Sequence, residues 1–84
     1  MTQLSDMKNI GATLADRMKD AGIKNGDELV SLGAKQAFLK VKSLYPDACI
    51  NHLYAIEGAI EGIRWHNLPS ETKSDLKDFY NEFK

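Results

Sequence analysis

A single cysteine, Cys49, stands in the whole chain, so no disulfide forms within it, and a lone thiol fits a reducing compartment. Prolines are as scarce: Pro46 and Pro69 are the only two, and both fall between periodic segments. No segment alternates apolar and polar residues over a length that would make a strand. No apolar run approaches the ~20 residues that span a bilayer. The opening MTQLSDMKN has neither the basic region nor the apolar core of a signal peptide. The expectation is a cytoplasmic protein with no membrane association. An excess of one charge is also missing. Eleven Lys and Arg face twelve Asp and Glu, for a formal net charge of −1, so no broad field draws the chain to nucleic acid or anionic lipid.

Signatures of chemistry are absent too. There is no phosphate-binding loop and no dinucleotide fingerprint. His52 and His66 are far apart, with no cysteine or carboxylate at metal-ligand spacing, so neither a metal nor a cofactor is expected. Cys49 reads as part of an apolar helical stripe rather than as a nucleophile. Glu57 and Glu61, one turn apart, read as a solvated face, with one carboxylate beside Arg64, and do not by themselves make an acid–base pair. No residue is assigned a catalytic role, and the protein is expected not to be an enzyme.

What the chain does have is helical periodicity. At 84 residues and 43% apolar content it is one small domain with a modest core. The spacing predicts an all-α fold, a compact bundle of five to six helices. A first short helix is expected over residues 3–8, with Thr2 as its cap. Asn9-Ile10-Gly11 is a tight turn. A second helix follows over 12–21, ended by Gly22 with Ile23 packing back. Asn25 caps a short helix over 27–32, and Gly33 breaks it. The next runs over 34–44 with Ala37, Phe38, Val41 and Leu44 inward, and closes before Pro46. The central helix is expected over 48–65, with Arg64 and His66 favouring its C-terminal dipole. A last helix starts at Leu68-Pro69-Ser70 and carries Leu76, Phe79, Tyr80 and Phe83 as its stripe.

The most informative stretch is LYAIEGAIEGIRW, residues 53–65. Cys49, Leu53, Ile56, Ile60 and Ile63 repeat at spacings of three and four. Within it stand Gly58 and Gly62, each of which costs roughly 1 kcal/mol in a helix interior against alanine. Ala55, Gly58, Ala59 and Gly62 make a low, flat face, expected to allow close approach by another helix. A self-complementary homodimer contact is the alternative.

LYAIEGAIEGIRWHNLP resembles the signature of the C-terminal domain of the TfoX/Sxy family, bacterial regulators of competence for DNA transformation. LSDMKNIGATLADRMKDAGIKNGDELVSLGAKQAFLKVK matches that domain's opening in order and spacing. The resemblance covers nearly the whole chain, taken as a single TfoX C-terminal-like domain over 1–84. It implies a fold related to helix-hairpin-helix domains. It also implies a regulator or co-activator of competence genes, working with the transcription machinery and the cAMP receptor protein. Longer members carry an N-terminal domain ahead of this one. The present chain is either a free-standing relative or a piece of a longer regulator.

Met7 to Ala15 is similar to a helix-hairpin-helix motif, in which free backbone N–H groups at a helix start face a DNA phosphate. Asn9 replaces the usual first glycine and tolerates left-handed geometry. The candidate phosphate site is Lys8, Asn9, Ile10, Gly11, Ala12, Thr13 and Arg17. Lys19 lies nearby, but Asp6, Asp16 and Asp20 oppose the field, so any DNA contact is weak. The hairpin either touches DNA or only joins two packed helices. Lys35, Lys40 and Lys42 form a second basic group that reads as solvated surface. Tyr54 and Trp65 carry polar handles and form a candidate partner surface, unless they cap the core. The leading expectation is a non-enzymatic regulatory domain acting through protein partners, and the alternative is a weak, sequence-nonspecific DNA-binding module.

Overall fold

The structure, a computed structural model, describes residues 2–83. Among them are five α-helices and two single turns of 3-10 helix, with no strand: the Leu4–Asp6 turn, α1 (Ala12–Asp20), α2 (Gly26–Leu32), α3 (Ala34–Leu44), α4 (Ile50–Glu61), the Trp65–Asn67 turn and α5 (Ser70–Phe83). The fold is all-helical, as the periodicity implies.

Local chemistry sets most boundaries. Gly22 ends α1 in positive-φ geometry, φ 92°. The Ile23 N–H then donates back to the Met18 carbonyl at 2.9 Å, and the buried Ile23 side chain completes the cap. Asn25 Oδ1 accepts from the Glu28 N–H at 3.0 Å, while Glu28 Oε1 accepts from the Lys24 N–H at 2.9 Å. This reciprocal pair satisfies two donors at the start of α2. Gly33, at φ 87°, separates α2 from α3. Tyr45 stops α3 one residue before Pro46.

α3 and α4 form the middle of the molecule. α1 and α2 pack on α3, and α5 packs on α4. Leu4, Met18, Ile23, Leu29, Phe38, Val41, Leu53, Ile56 and Leu76 are fully buried where these helices meet. Each large apolar side chain so buried contributes about 1.5–3 kcal/mol. Phe38 meets Tyr80 of α5 with ring centroids 5.9 Å apart.

Several expectations are corrected. The first helix is only the Leu4–Asp6 turn, and Thr2 does not cap it; the Thr2 carbonyl instead accepts from the Gly26 N–H at 2.8 Å. α4 stops at Glu61 rather than running to Trp65. Gly62, at φ 75°, is its left-handed terminator, with the Ile63 N–H donating to the Gly58 carbonyl at 3.0 Å. Gly62 is therefore not a mid-helix glycine, and Arg64 and His66 lie beyond the helix. Cys49 is the N-cap of α4 and half-buried, not a member of its inner stripe. Leu44 and Phe83, expected inward, are 52% and 48% exposed, each at the last residue of its helix.

Candidate interaction surfaces

The hairpin after the Leu4–Asp6 turn is built around Asn9, the one non-glycine at positive φ (70°) among the described residues. Its carboxamide is not free for a ligand. Nδ2 donates to the Ile63 carbonyl at 2.9 Å, and Oδ1 accepts from the Trp65 N–H at 3.2 Å. The side chain thus pairs with the backbone just after α4 as a second strand would. This explains Gly58. A Cβ there would lie 2.5 Å from Asn9 Nδ2, 2.8 Å from the Ile63 carbonyl oxygen and 3.2 Å from Trp65 Cα. Ala55, Gly58 and Ala59 are all buried, and Gly58 is approached closely. What approaches Gly58 is the Asn9 carboxamide and the chain's own return past Gly62, not another helix, and Gly62 itself is exposed.

The rest of the expected phosphate site is divided. Gly11 is the N-cap of α1 at φ −90° and supplies no capping side chain. Gly11, Ala12 and Thr13 are exposed, whereas Ile10 is buried in the core. The first turn of α1 therefore opens to solvent. Lys8 is exposed beside it. Arg17 points elsewhere: its guanidinium meets the Asp47 carboxylate at 3.3 Å and lies 4.4 Å from the Tyr45 ring centroid. The Arg17 guanidinium holds the Asp47 carboxyl below its ordinary range. Tyr45 Oη donates to Asp20, which raises the phenol above its ordinary value. This network ties α1 to the α3–α4 loop.

Tyr54 and Trp65 come together, and His66 joins them. The Trp65 ring lies 5.8 Å from Tyr54 at 14° and 4.1 Å from His66 at 26°. Tyr54 and Trp65 are half-buried and His66 is exposed. Lys73 of α5 stands 5.8 Å from the Trp65 centroid, and its Nζ donates to the His66 carbonyl at 3.1 Å. Sequence reasoning left His66 out of this surface; its position next to Trp65 was the available signal.

The lysines of α3 do not act as one group. Lys35 pairs with Asp75 of α5 at 2.8 Å. Lys42 donates to the Pro46 and Ala48 carbonyls, each at 3.1 Å. Lys40 instead edges an open groove of about 440 Å³ between the α1–α2 turn, α2 and α3. Gly22, Ile23 and Leu32 line this groove with Ser31, Asp27 and Glu28. No sequence pattern announced it, because its walls come from three separate elements.

Two titratable pairs complete the surface. Glu57 hydrogen-bonds with Glu61; that bond and partial burial push its carboxyl up to about 7. The cation near Glu57 is Lys35. His52 does have a cysteine neighbour, contrary to expectation. Its Nδ1 accepts from the Cys49 N–H at 3.0 Å and lies 3.6 Å from Cys49 Sγ. Burial lowers the His52 pKa, which keeps the ring neutral and its Nδ1 an acceptor. The pair closes the first turn of α4. Among the described residues, no group of three or more His, Cys, Asp or Glu is placed to hold a metal ion. No described helix is long and apolar enough to cross a membrane.

The architecture is that of a small five-helix domain whose opening turn and hairpin are clamped to the end of its central helix. The chain belongs to the TfoX C-terminal domain family, whose model matches residues 1–80. It is 32% identical over 75 residues to the DNA transformation protein TfoX1 of Aliivibrio fischeri, a match spanning 88% of this chain and 36% of that protein. The chain thus spans about a third of the length of that relative. Two crystal structures from Listeria monocytogenes are closely similar, one triclinic, of an uncharacterized protein, and one tetragonal, of a protein of unknown function. Each is 42% identical and covers 96% of this chain; the TM-scores are 0.95 and 0.94, over 92% and 100% of those chains.

Proposed function

We propose that this domain is a non-enzymatic regulatory module that acts through a protein of the transcription machinery in the control of DNA uptake. Membership of the TfoX C-terminal domain family and the name of the Aliivibrio fischeri relative support the link to DNA transformation. The groove between the α1–α2 turn, α2 and α3 carries the docking role. Its apolar floor of Ile23 and Leu32 is edged by Asp27 and Glu28 on one side and Lys40 on the other. An apolar centre with a polar rim is the anatomy of a protein interface. Leu44, 52% exposed, lies one turn beyond Lys40 on α3. The matching partner is a segment with an apolar anchor flanked by charges of both signs.

A second role, weak and sequence-nonspecific contact with duplex DNA, is favoured by the open first turn of α1 at Gly11, Ala12 and Thr13. The engagement of Asn9 and Arg17 within the fold counts against it. A competence-gene reporter separates the two. Ser31→Arg fills the exposed rim of the groove, and Gly11→Val blocks the hairpin where a Cβ meets nothing within 4 Å. Docking at the groove predicts loss of reporter activity with Ser31→Arg and little change with Gly11→Val, both remaining helical by circular dichroism. The opposite pattern, with salt-sensitive duplex binding lost in Gly11→Val, would establish the DNA role instead. Sedimentation velocity shows whether a second copy of the chain fills the groove.

A further inference from the structure

We propose that the Tyr54–Trp65–His66 ring cluster, with Arg64, Lys73 and Lys77, is a contact site for single-stranded nucleic acid. Three near-parallel rings gather there, and the outermost, His66, is exposed. An unstacked base can lie on such a face, and every base has one, so recognition is tolerant of sequence. Cations stand where a backbone would run. Lys73 is close to the Trp65 ring, Lys77 follows one turn later on α5, and Arg64 precedes Trp65; Arg64 and Lys77 are both exposed. No acid occurs between Gly62 and Ser70. The segment is also held in place before any ligand arrives. Asn9 fixes the Ile63 carbonyl and the Trp65 N–H, and Lys73 fixes the His66 carbonyl. A pre-ordered site loses little freedom on binding.

The features favour a single strand over the other macromolecules. In a duplex the base faces are already stacked and cannot reach the rings. A protein partner would want a protruding apolar anchor, whereas Trp65 is half-buried and the exposed ring is an imidazole with cations around it. Glu61 and Glu71 flank the patch in sequence and weaken its positive field.

Trp65 is the sole tryptophan, so its fluorescence reports on the site directly. The experiment titrates the full chain with a short oligothymidylate at 50 mM and then 200 mM salt. The expected result is saturable quenching that weakens roughly twentyfold at the higher salt, as for about three phosphate contacts to a single strand. His66→Ala, with unchanged circular dichroism, should lower the affinity about tenfold through lost stacking. Arg64→Ala with Lys77→Ala should lower it and flatten the salt dependence. A duplex of equal length and polyglutamate serve as comparisons. No quenching at low salt, equal binding of duplex or polyglutamate, or unchanged affinity in His66→Ala would each overturn the proposal. None of these outcomes bears on the groove, which lies on different elements.

Discussion

Replacing Gly58 by alanine pits two physical effects of opposite sign against each other. Helix propensity alone favours the change, since alanine in a helix interior is better than glycine by roughly 1 kcal/mol. The surroundings oppose it. The new methyl would sit 2.5 Å from Asn9 Nδ2 and 2.8 Å from the Ile63 carbonyl oxygen. The Ile63 backbone cannot easily retreat, because its N–H is bonded to the Gly58 carbonyl at 3.0 Å and Gly62 fixes the turn before it. Overpacking of this kind costs about 1–3 kcal/mol. Displacing Asn9 also breaks its two hydrogen bonds, at ~1 kcal/mol each. The balance is a destabilisation of about 3 kcal/mol, which for a domain of this size lowers Tm by roughly 15–20 °C. Thermal and urea unfolding followed by circular dichroism measure it. Two other glycines calibrate the result. Gly11→Ala has an ordinary φ and open space, and should be neutral within about 0.5 kcal/mol. Gly62→Ala has open space but φ 75°, and should cost ~1 kcal/mol from backbone strain alone. A Gly58→Ala protein as stable as the parent, or more so, would refute the packing account and leave propensity in control.

The Glu57 carboxyl, raised to about 7 from 4.5, contributes stability in its protonated form; that contribution is whole below pH 4.5 and is lost as pH rises through 7. With solvent screening of a half-exposed group, the loss is ~1 kcal/mol. Glu57→Gln should flatten this part of the urea-stability profile and exceed the parent at pH 8; an unaltered slope would place the titration elsewhere. Asn9→Gly keeps the left-handed turn but removes both clamp bonds, and should cost about 1–2 kcal/mol. Asn9→Ala adds strain at φ 70° and should be worse by ~1 kcal/mol, so equal stability of the parent and Asn9→Gly in chemical denaturation would deny the clamp any energetic role.

The helices were legible wherever a local signal marked their ends. Gly22 with Ile23, Asn25 with Glu28, and Tyr45 before Pro46 all act within a few residues of where they stand, so sequence reports them. The end of α4 is hidden for the same reason in reverse. Ile63 and Trp65 continue the apolar spacing, and periodicity does not reveal that Gly62 has turned left-handed. The purpose of Gly58 was half visible: small residues signalled a close approach, but the approaching group, Asn9, lies 49 positions earlier in the chain. The backbone conformation of Asn9 can be inferred locally, which suggests a ligand site, while its side-chain partners cannot. The pairing of Cys49 with His52 is short-range, yet the apolar spacing assigns Cys49 to a stripe and so hides its place at a cap. The groove and the ring cluster needed tertiary structure, since their walls come from distant parts of the chain.

The Asn9 clamp also bears on how the molecule reaches and leaves its native state. It joins residues 54 and 56 positions apart, and needs both the left-handed hairpin and the left-handed end of α4 already in place. Contacts that close late contribute little at the transition state, so their loss speeds unfolding more than it slows folding. The expected consequence is a latch: Asn9→Gly should raise the unfolding rate in stopped-flow kinetics by more than it lowers the folding rate.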